Sequence, residues 1–202
     1  MNTTNLCPVC GKPLQLCVCS DAEPFDNKHF VLILQHPQEQ DKDLGTAKII
    51  CQRLKNAQLE IALSRPSLAA VLKRPADPKK WGVLYLGAQN ETPTAAGLYA
   101  LSRQGNLLPD TAEILASLEG IILLDGSWSQ AKALWWRNPW LLKTRRLLLV
   151  PENRSLYGKL RKEPRKESFS TLEATAQCLN CLGEEAAIAA GLETVPVICR
   201  QF

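Results

Sequence analysis

Residues 120–134 read GIILLDGSWSQAKAL, an apolar run that ends in a polar turn and is followed by a segment with helical spacing. The run carries no charge before its last residue, which predicts a buried parallel strand that ends at Asp125. Ser127 and Gln130 have the S-x-x-Q spacing of a capping box, so a helix is predicted to begin at Ser127. In α/β proteins, ligands bind where strands end in this way.

Strand and helix patterns continue on both sides of this stretch. Four apolar runs predict further strands, at 29–35, 59–63, 81–87 and 145–150. Apolar residues at helical spacing predict helices in 47–57 and near 111–118. Ser170 and Glu173 have the spacing of a second capping box. We therefore predict an α/β fold in residues 25–202.

The composition indicates one globular domain with a small appendage, since the 202 residues are 46% hydrophobic and 22% charged. The longest apolar runs are far too short to cross a bilayer, and the start of the chain lacks the apolar run of a signal peptide. We expect a cytoplasmic protein with no membrane association and no obligate protein partner. No G-x-G-x-x-G follows a strand and no G-x-x-x-x-G-K-[ST] occurs, which argues against a Rossmann dinucleotide site and a P-loop NTPase.

Four cysteines near the start of the chain have the spacing of a zinc site, C-x2-C-x6-C-x-C. Four thiolates suit one tetrahedral Zn²⁺ in a closed, structural site. Two disulfides or four unrelated thiols are the alternatives, and a reducing compartment disfavours disulfides. We predict a zinc knuckle in residues 1–24, with the ligands Cys7, Cys10, Cys17 and Cys19. The remaining cysteines are expected in the core: Cys51, Cys178, Cys181 and Cys199.

The segment 132–166 concentrates positive charge, with eleven Lys or Arg against two Glu in a chain whose net charge is only +4. It also contains aromatic residues. Basic side chains neutralise phosphates, and aromatic rings stack on unpaired bases. A solvated face is the alternative reading. We predict an RNA-binding surface that includes Arg154, Lys159, Arg161, Lys162, Arg165 and Lys166.

Four of the five tryptophans lie within 125–140. Trp128 is expected in the first turn of the predicted helix, where its ring would form one wall of a pocket beside Asp125. Trp135, Trp136 and Trp140 follow one to two turns later, and aromatic residues at such spacing are more often core. We predict that they brace the helix and that truncation of Trp136 destabilises the protein.

His36 ends the predicted strand 29–35 and precedes Pro37. A histidine in this position is either a turn residue whose hydrogen bonds are satisfied or part of a ligand site. The local sequence leaves both interpretations open.

Five motifs, in order along nearly the whole chain, resemble the DTW-domain family. They are the four-cysteine cluster, LQHPQE with Thr46 ten residues beyond the histidine, DGSWSQAKAL, YGKLRKEP and STLEATA. The family's Asp-x-Thr/Ser-Trp motif is matched by Asp125, Gly126, Ser127 and Trp128. Serine stands at 127 instead of threonine, and either hydroxyl can cap a helix.

The resemblance implies an S-adenosylmethionine-dependent tRNA-uridine aminocarboxypropyltransferase, with the knotted parallel sheet and flanking helices of SPOUT-like enzymes. Uridine N3 would attack the methylene carbon next to sulfur in the aminocarboxypropyl arm, and methylthioadenosine would leave. Asp125 is the candidate base or orienting group. The family match implies donor contacts by Gln35, His36, Pro37, Thr46, Leu124, Gly126, Ser127, Trp128, Ser170, Thr171 and Glu173. It implies RNA-backbone contacts by Arg161 and Lys162.

Two other functions remain open at this point. A SPOUT-type RNA methyltransferase would share the fold and the donor but present the methyl group. A non-catalytic RNA-binding module with a zinc knuckle would not bind the donor. Product mass distinguishes the methyltransferase, because a methyl group is much lighter than an aminocarboxypropyl group. Binding of S-adenosylmethionine distinguishes the non-catalytic RNA-binding module, which would not bind it.

Overall fold

Six strands form one sheet in the part of the chain that the structure describes. The structure is a computed structural model that describes residues 7, 14, 17, 23–40, 46–84, 87, 89–91, 93–152 and 170–184. The strands are β1 (Phe30–Gln35), β2 (Ala57–Ile61), β3 (Trp81–Leu84), β4 (Gly97–Leu101), β5 (Gly120–Asp125) and β6 (Arg145–Val150). The helices are α1 (Ala47–Arg53), α2 (Leu68–Leu72), α3 (Thr111–Ala116), α4 (Trp128–Arg137) and α5 (Thr171–Cys181). Short 3-10 helices cover Pro37–Glu39, Pro78–Lys80 and Pro139–Lys143.

The sheet is parallel except at one edge. Its strand order is β2-β1-β5-β3-β6-β4. β1 pairs in parallel with β2 and β5, and β3 pairs in parallel with β5 and β6. The α/β prediction is confirmed, but β4 runs antiparallel to β6, whereas a parallel sheet was expected. Predominantly parallel sheets commonly carry an antiparallel edge strand of this kind.

Helices cover both faces of the sheet, and strand side chains alternate between two cores. On β1, Val31 and Ile33 belong to a core completed by α1, α3 and α5. Leu32 and Leu34 belong to a second core, completed by α2 and the 3-10 helix Pro139–Lys143. Strands that are buried on both faces have nearly continuous apolar sequences, which is why β1 and β5 are recognisable in the sequence.

Several boundaries differ from the predictions: the predicted strands 59–63 and 81–87 end at Ile61 and Leu84, and the helix predicted near 111–118 ends at Ala116. The helical pattern predicted through residue 57 ends at Arg53, because Leu54 is extended and bridges Phe25. β2 therefore begins at Ala57, two residues before the predicted strand. α2 and β4 were not predicted, since each has five residues and is too short for a periodic pattern.

The prediction that the later tryptophans are core residues is wrong for Trp136. Trp140 is 5% exposed and Trp135 is partly buried, but Trp136 is 76% exposed. The buried residues of α4 are Ala131 and Leu134. Each residue advances a helix by about 100°, so Trp136 lies about 200° around the axis from Leu134 and faces outward.

The core prediction is confirmed for two cysteines. Cys178 is fully buried and Cys51 packs against the same core. Burial raises the pKa of the Cys51 thiol to about 11 and also raises the pKa of Cys178. Both are therefore protonated, unreactive thiols at neutral pH. The prediction is wrong for Cys181, which is exposed where α5 ends, and Cys199 lies outside the described residues.

Some predictions concern segments that the structure does not describe. Of residues 1–24, only Cys7, Leu14, Cys17, Glu23 and Pro24 are described, so the zinc knuckle and its boundary stay predictions. Residues 153–169, between β6 and α5, lie outside the described part, so the knot also stays a prediction. Among the helices of the described ranges, none combines the length and apolarity needed to span a membrane.

Candidate active site

The carboxyl ends of β1 and β5 meet where the strand order reverses. The chain leaves β1 through α1 toward β2 on one side, and it leaves β5 through α4 toward β6 on the other side. Gln35 and Asp125 end these two strands and are register partners. In open α/β sheets, ligands bind in the crevice at such a reversal.

Asp125 is held through both carboxylate oxygens. Gln35 Nε2 donates to Oδ2 at 2.7 Å, and Thr171 Oγ1 donates to Oδ1. Asp125 is on β5, Gln35 on β1 and Thr171 on α5, so three elements fix the position of the carboxylate. An ionised carboxylate offers about four acceptor positions, which leaves capacity for a donor from a ligand.

Gln35 has a buried polar atom that no described residue contacts through a hydrogen bond. The residue is 2% exposed, and its Oε1 accepts no hydrogen bond from any described residue. The amide nitrogen faces Asp125 because a carboxylate can only accept, so the amide oxygen is the unsatisfied atom. A buried acceptor without a partner costs about 1 to 3 kcal/mol. A donating group on a ligand would remove that cost.

The turn between β5 and α4 requires glycine at 126. A Cβ atom there would lie 2.9 Å from Gln130 Cβ, so any larger residue would displace the first turn of α4. Ser127 N donates to Gln130 Oε1 at 2.6 Å, and Gln130 N donates to Ser127 Oγ at 3.4 Å. The predicted capping box of α4 is confirmed.

His36 and Gln38 connect this turn to the end of β1. His36 N donates to the backbone oxygen of Asp125 at 3.0 Å, which extends the strand pairing by one residue. Gln38 N donates to His36 Nδ1 at 3.3 Å, and Gln130 Nε2 donates to Gln38 Oε1 at 3.3 Å. These bonds make His36 part of the turn after β1, and it lies at the same edge as Asp125.

α5 brings a second helix N-terminus to this edge. Leu172 and Ala176 pack the helix into the first core. Ser170 N and Oγ donate to Glu173 Oε2 at 2.9 and 3.0 Å, and Glu173 N donates to Ser170 Oγ at 3.2 Å. The predicted capping box of α5 is confirmed. Helix N-termini carry partial positive charge, so α4 and α5 together favour an anionic group here.

Comparison with known proteins decides the family. The family model of the DTW domain matches residues 4–198. The chain belongs to the DTW domain family. Its relatives include proteins named tRNA-uridine aminocarboxypropyltransferase 2 from Drosophila melanogaster, 31% identical over 183 residues, and Macaca fascicularis, 28% identical over 185 residues. The alignments cover 90% and 87% of this chain, but 68% and 56% of the respective relatives. No solved structure matches the chain significantly.

Most of the predicted donor-contact residues of this DTW domain lie together where the parallel strands end, a side of the sheet that we call the carboxyl edge. They end β1, end β5, or begin α4 and α5: Gln35, His36, Pro37, Leu124, Gly126, Ser127, Trp128, Ser170, Thr171 and Glu173. Thr46 is buried immediately before α1, on an element that contacts α5 and β2. The predicted RNA contacts lie outside the described residues: Arg154, Lys159, Arg161, Lys162, Arg165 and Lys166.

Gln38 was not among the predicted site residues, yet it helps to hold the edge together. Its hydrogen bond to Gln130 joins residues 92 positions apart, so no local pattern could indicate it. The capping-box spacing did indicate Gln130, although only as a cap for α4 and not as a link to β1.

Proposed function

We propose that this chain transfers the 3-amino-3-carboxypropyl group of S-adenosylmethionine to N3 of a uridine in tRNA. The observation that carries the proposal is the Gln35–Asp125–Thr171 constellation, which stands at the strand-order reversal of a DTW domain. The names of the relatives give the reaction class and the substrate.

The proposed reaction forms a bond between uridine N3 and the donor's methylene carbon next to sulfur. The bond from that carbon to the sulfonium sulfur breaks, and its electron pair stays on sulfur, so methylthioadenosine leaves as a neutral thioether. The N3 proton must go to a base. Because the sulfonium already activates the carbon, the protein's main tasks are orientation and proton removal.

Asp125 suits the role of base or orienting acceptor. Its carboxylate is fixed by Gln35 and Thr171 and keeps acceptor capacity, so it can receive the N3–H of uridine or orient the donor. It stands at the edge of the sheet, where a substrate can approach the strand ends. Gln35 and Thr171 act as positioning residues in this proposal.

The donor's aminocarboxypropyl arm carries an ammonium and a carboxylate, and the carboxyl edge offers partners for both. The unsatisfied Oε1 of Gln35 is an acceptor for the ammonium. The N-termini of α4 and α5 favour the carboxylate. The proposed donor-contact set is Gln35, His36, Pro37, Thr46, Leu124, Gly126, Ser127, Trp128, Ser170, Thr171 and Glu173.

The proposal also includes a SPOUT-like knot and a structural zinc held by Cys7, Cys10, Cys17 and Cys19. The described members of this ligand set are Cys7, which is buried, and Cys17, which is partly buried. Burial of Cys7 is compatible with a closed thiolate site. Among the described residues no group of three or more His, Cys, Asp or Glu side chains could hold a metal ion, and Cys10 and Cys19 lie outside those residues. Elemental analysis should find one zinc per chain, and the Cys7→Ser, Cys10→Ser variant should lose it.

Mass spectrometry of nucleosides tests the proposed activity. tRNA incubated with the protein and S-adenosylmethionine should yield 3-(3-amino-3-carboxypropyl)uridine, and methylthioadenosine should accumulate in equal amount. Methylated uridine with adenosylhomocysteine would instead indicate a methyltransferase. No product and no donor binding by calorimetry would indicate a non-catalytic RNA-binding module.

A further inference from the structure

The outward face of α4 carries a large exposed aromatic ring among positive charges. Trp136 is 76% exposed, and Lys132 and Arg137 on the same helix are also exposed. Residues 126–151 contain five Lys or Arg and no Asp or Glu. An exposed aromatic with basic neighbours is the combination that single-stranded nucleic acids bind, because bases stack on the ring and phosphates meet the cations.

This face leads from the candidate active site to the opposite edge of the sheet. α4 begins beside Asp125 and, at about 1.5 Å per residue, its ten residues extend for about 15 Å. The chain then passes through the 3-10 helix Pro139–Lys143 and reaches Arg145, where β6 begins. The surface therefore ends where the parallel strands begin, a side of the sheet that we call the amino edge. This edge is about 17 Å from Asp125, because β5 spans that distance at about 3.3 Å per residue.

A basic cavity of about 350 Å³ lies at that amino edge. Five cationic residues line it: Lys79, Arg103, Lys143, Arg145 and Arg146. None of the lining residues is acidic. Two guanidinium groups are held by backbone oxygens, since Arg146 Nη1 donates to Arg103 O at 2.7 Å and Arg145 Nε donates to Lys79 O at 3.3 Å. These carbonyls orient the two guanidinium groups.

We infer that the outward face of α4 and the amino-edge cavity form an RNA-binding surface, on which an unpaired base stacks on Trp136 and backbone phosphates occupy the cavity. The inference rests on the proposed function for the identity of the RNA, which is the tRNA substrate. It adds Lys79 and Arg103, which lie far from the basic segment 132–166 in sequence. The surface binds the tRNA at a distance from the uridine that reacts.

A charge variant tests the cavity. Arg103→Gln with Lys143→Gln removes two exposed cations, and Lys28→Gln with Lys55→Gln removes two exposed cations at the β1–β2 end of the sheet. Filter binding of tRNA between about 50 and 200 mM salt should show at least a tenfold loss for the first variant. Its salt slope should fall by about 1.4 to 1.8, at 0.7 to 0.9 for each phosphate contact. The control should stay within about twofold of the parent. Equal losses in both variants, or none in the first, would overturn the cavity assignment.

Trp136 is tested separately. Trp136→Ala should weaken tRNA binding about 5- to 150-fold, which corresponds to one stacked base, while Trp136→Phe should retain most of the affinity. Thermal midpoints should stay unchanged because the ring is exposed. Heparin, a polyanion without bases, should bind Trp136→Ala as tightly as the parent. Equal weakening toward heparin and tRNA, or parental tRNA affinity, would overturn the stacking role.

The same measurements separate this inference from the proposed function. If the parent transfers the group but neither variant loses tRNA affinity, the surface is wrong and the function stands. If the parent transfers nothing but both variants bind tRNA more weakly, the surface stands and the function is wrong. If the parent fails to bind tRNA at any salt concentration, both are wrong.

Discussion

The carboxyl edge of the sheet and the part of the amino edge that surrounds the basic cavity carry different kinds of polar residue. At the carboxyl edge, short side chains such as Asp125 and Thr171 hydrogen-bond to one another and are held in place. At the amino edge, long cations such as Arg103 and Lys143 extend to solvent around a cavity. Fixed short groups can orient one small ligand in one geometry, whereas long cations adapt to a flexible polyanion. The comparison supports both proposals, group transfer at the carboxyl edge and tRNA binding at the amino-edge cavity.

The largest effect should come from removing the carboxylate of the carboxyl edge. Asp125→Asn retains the size of the side chain but replaces one acceptor oxygen with a donor, opposite either Gln35 Nε2 or Thr171 Oγ1. Transfer to tRNA should fall about 10²- to 10⁴-fold, the range for loss of a general base. Donor binding measured by calorimetry should change far less.

The exposed Asp110→Asn serves as the matched control and should retain parental activity. If Asp125→Asn transfers at the parental rate, Asp125 is a structural residue. The assignment of catalysis to the carboxyl edge would then be wrong.

Truncation of two tryptophans in the same segment should have different effects on stability: Trp140 supports the core, whereas Trp136 is proposed to bind RNA. Trp140 is 5% exposed, and its Nε1 donates to Arg65 O at 3.1 Å and Asn138 Oδ1 at 3.3 Å. Trp140→Ala should therefore cost about 3 to 5 kcal/mol of unfolding free energy. Trp136→Ala should cost less than about 0.5 kcal/mol, since its ring is exposed. Urea denaturation of both variants measures this difference, and similar costs would show that Trp136 supports the core.

Features that depend on local sequence were predictable, whereas features that depend on packing between distant residues were not. Strands β1 and β5 were predictable because burial on both faces requires continuous apolar runs, and the Ser127 and Ser170 caps were predictable because their partners are three residues away. The side of α4 that faces the core depends on the packing of Ala131 and Leu134, and spacing alone did not assign Trp136 to the outer side. The amino-edge cavity combines residues distant in sequence, and no motif indicates it.

A buried carboxylate at the amino edge should make stability depend on pH. Glu184 follows α5, its side chain is 5% exposed, and it accepts hydrogen bonds from Lys28 N at 3.0 Å and His29 N at 2.7 Å. His29 Nδ1 also lies 2.7 Å from its Oε1. Burial alone would raise the pKa of Glu184, but these hydrogen bonds and the charge of His29 outweigh it, so the pKa is lowered.

Because the folded pKa is below the unfolded value of about 4.3, the ionised carboxylate stabilises the fold above that pH. The contribution is lost as the pH falls through the lowered pKa. Glu184→Gln should cost about 1.5 to 3 kcal/mol at neutral pH, the range for hydrogen bonds to a charged group. The difference from the parent should shrink in acid. Denaturation at several pH values measures it, and the exposed Glu113→Gln should show no such difference.

The smallest effect should come from a positioning residue that connects the edges through α5. This helix is tied to the amino edge by Glu184, and its first residue, Thr171, donates to Asp125 at the carboxyl edge. Thr171→Val keeps the shape but removes the donor, so the carboxylate keeps only its bond from Gln35 and becomes less well oriented. We expect kcat to fall about tenfold, equivalent to about 1.4 kcal/mol, with little change in the KM for tRNA. Thr171→Ser restores the hydroxyl and should recover most of the rate, a rescue that a purely packing role for the Thr171 methyl group would not produce. If Thr171→Ser is as slow as Thr171→Val, the hydroxyl does not position Asp125, and the hydrogen bond between them is only a structural link between α5 and β5.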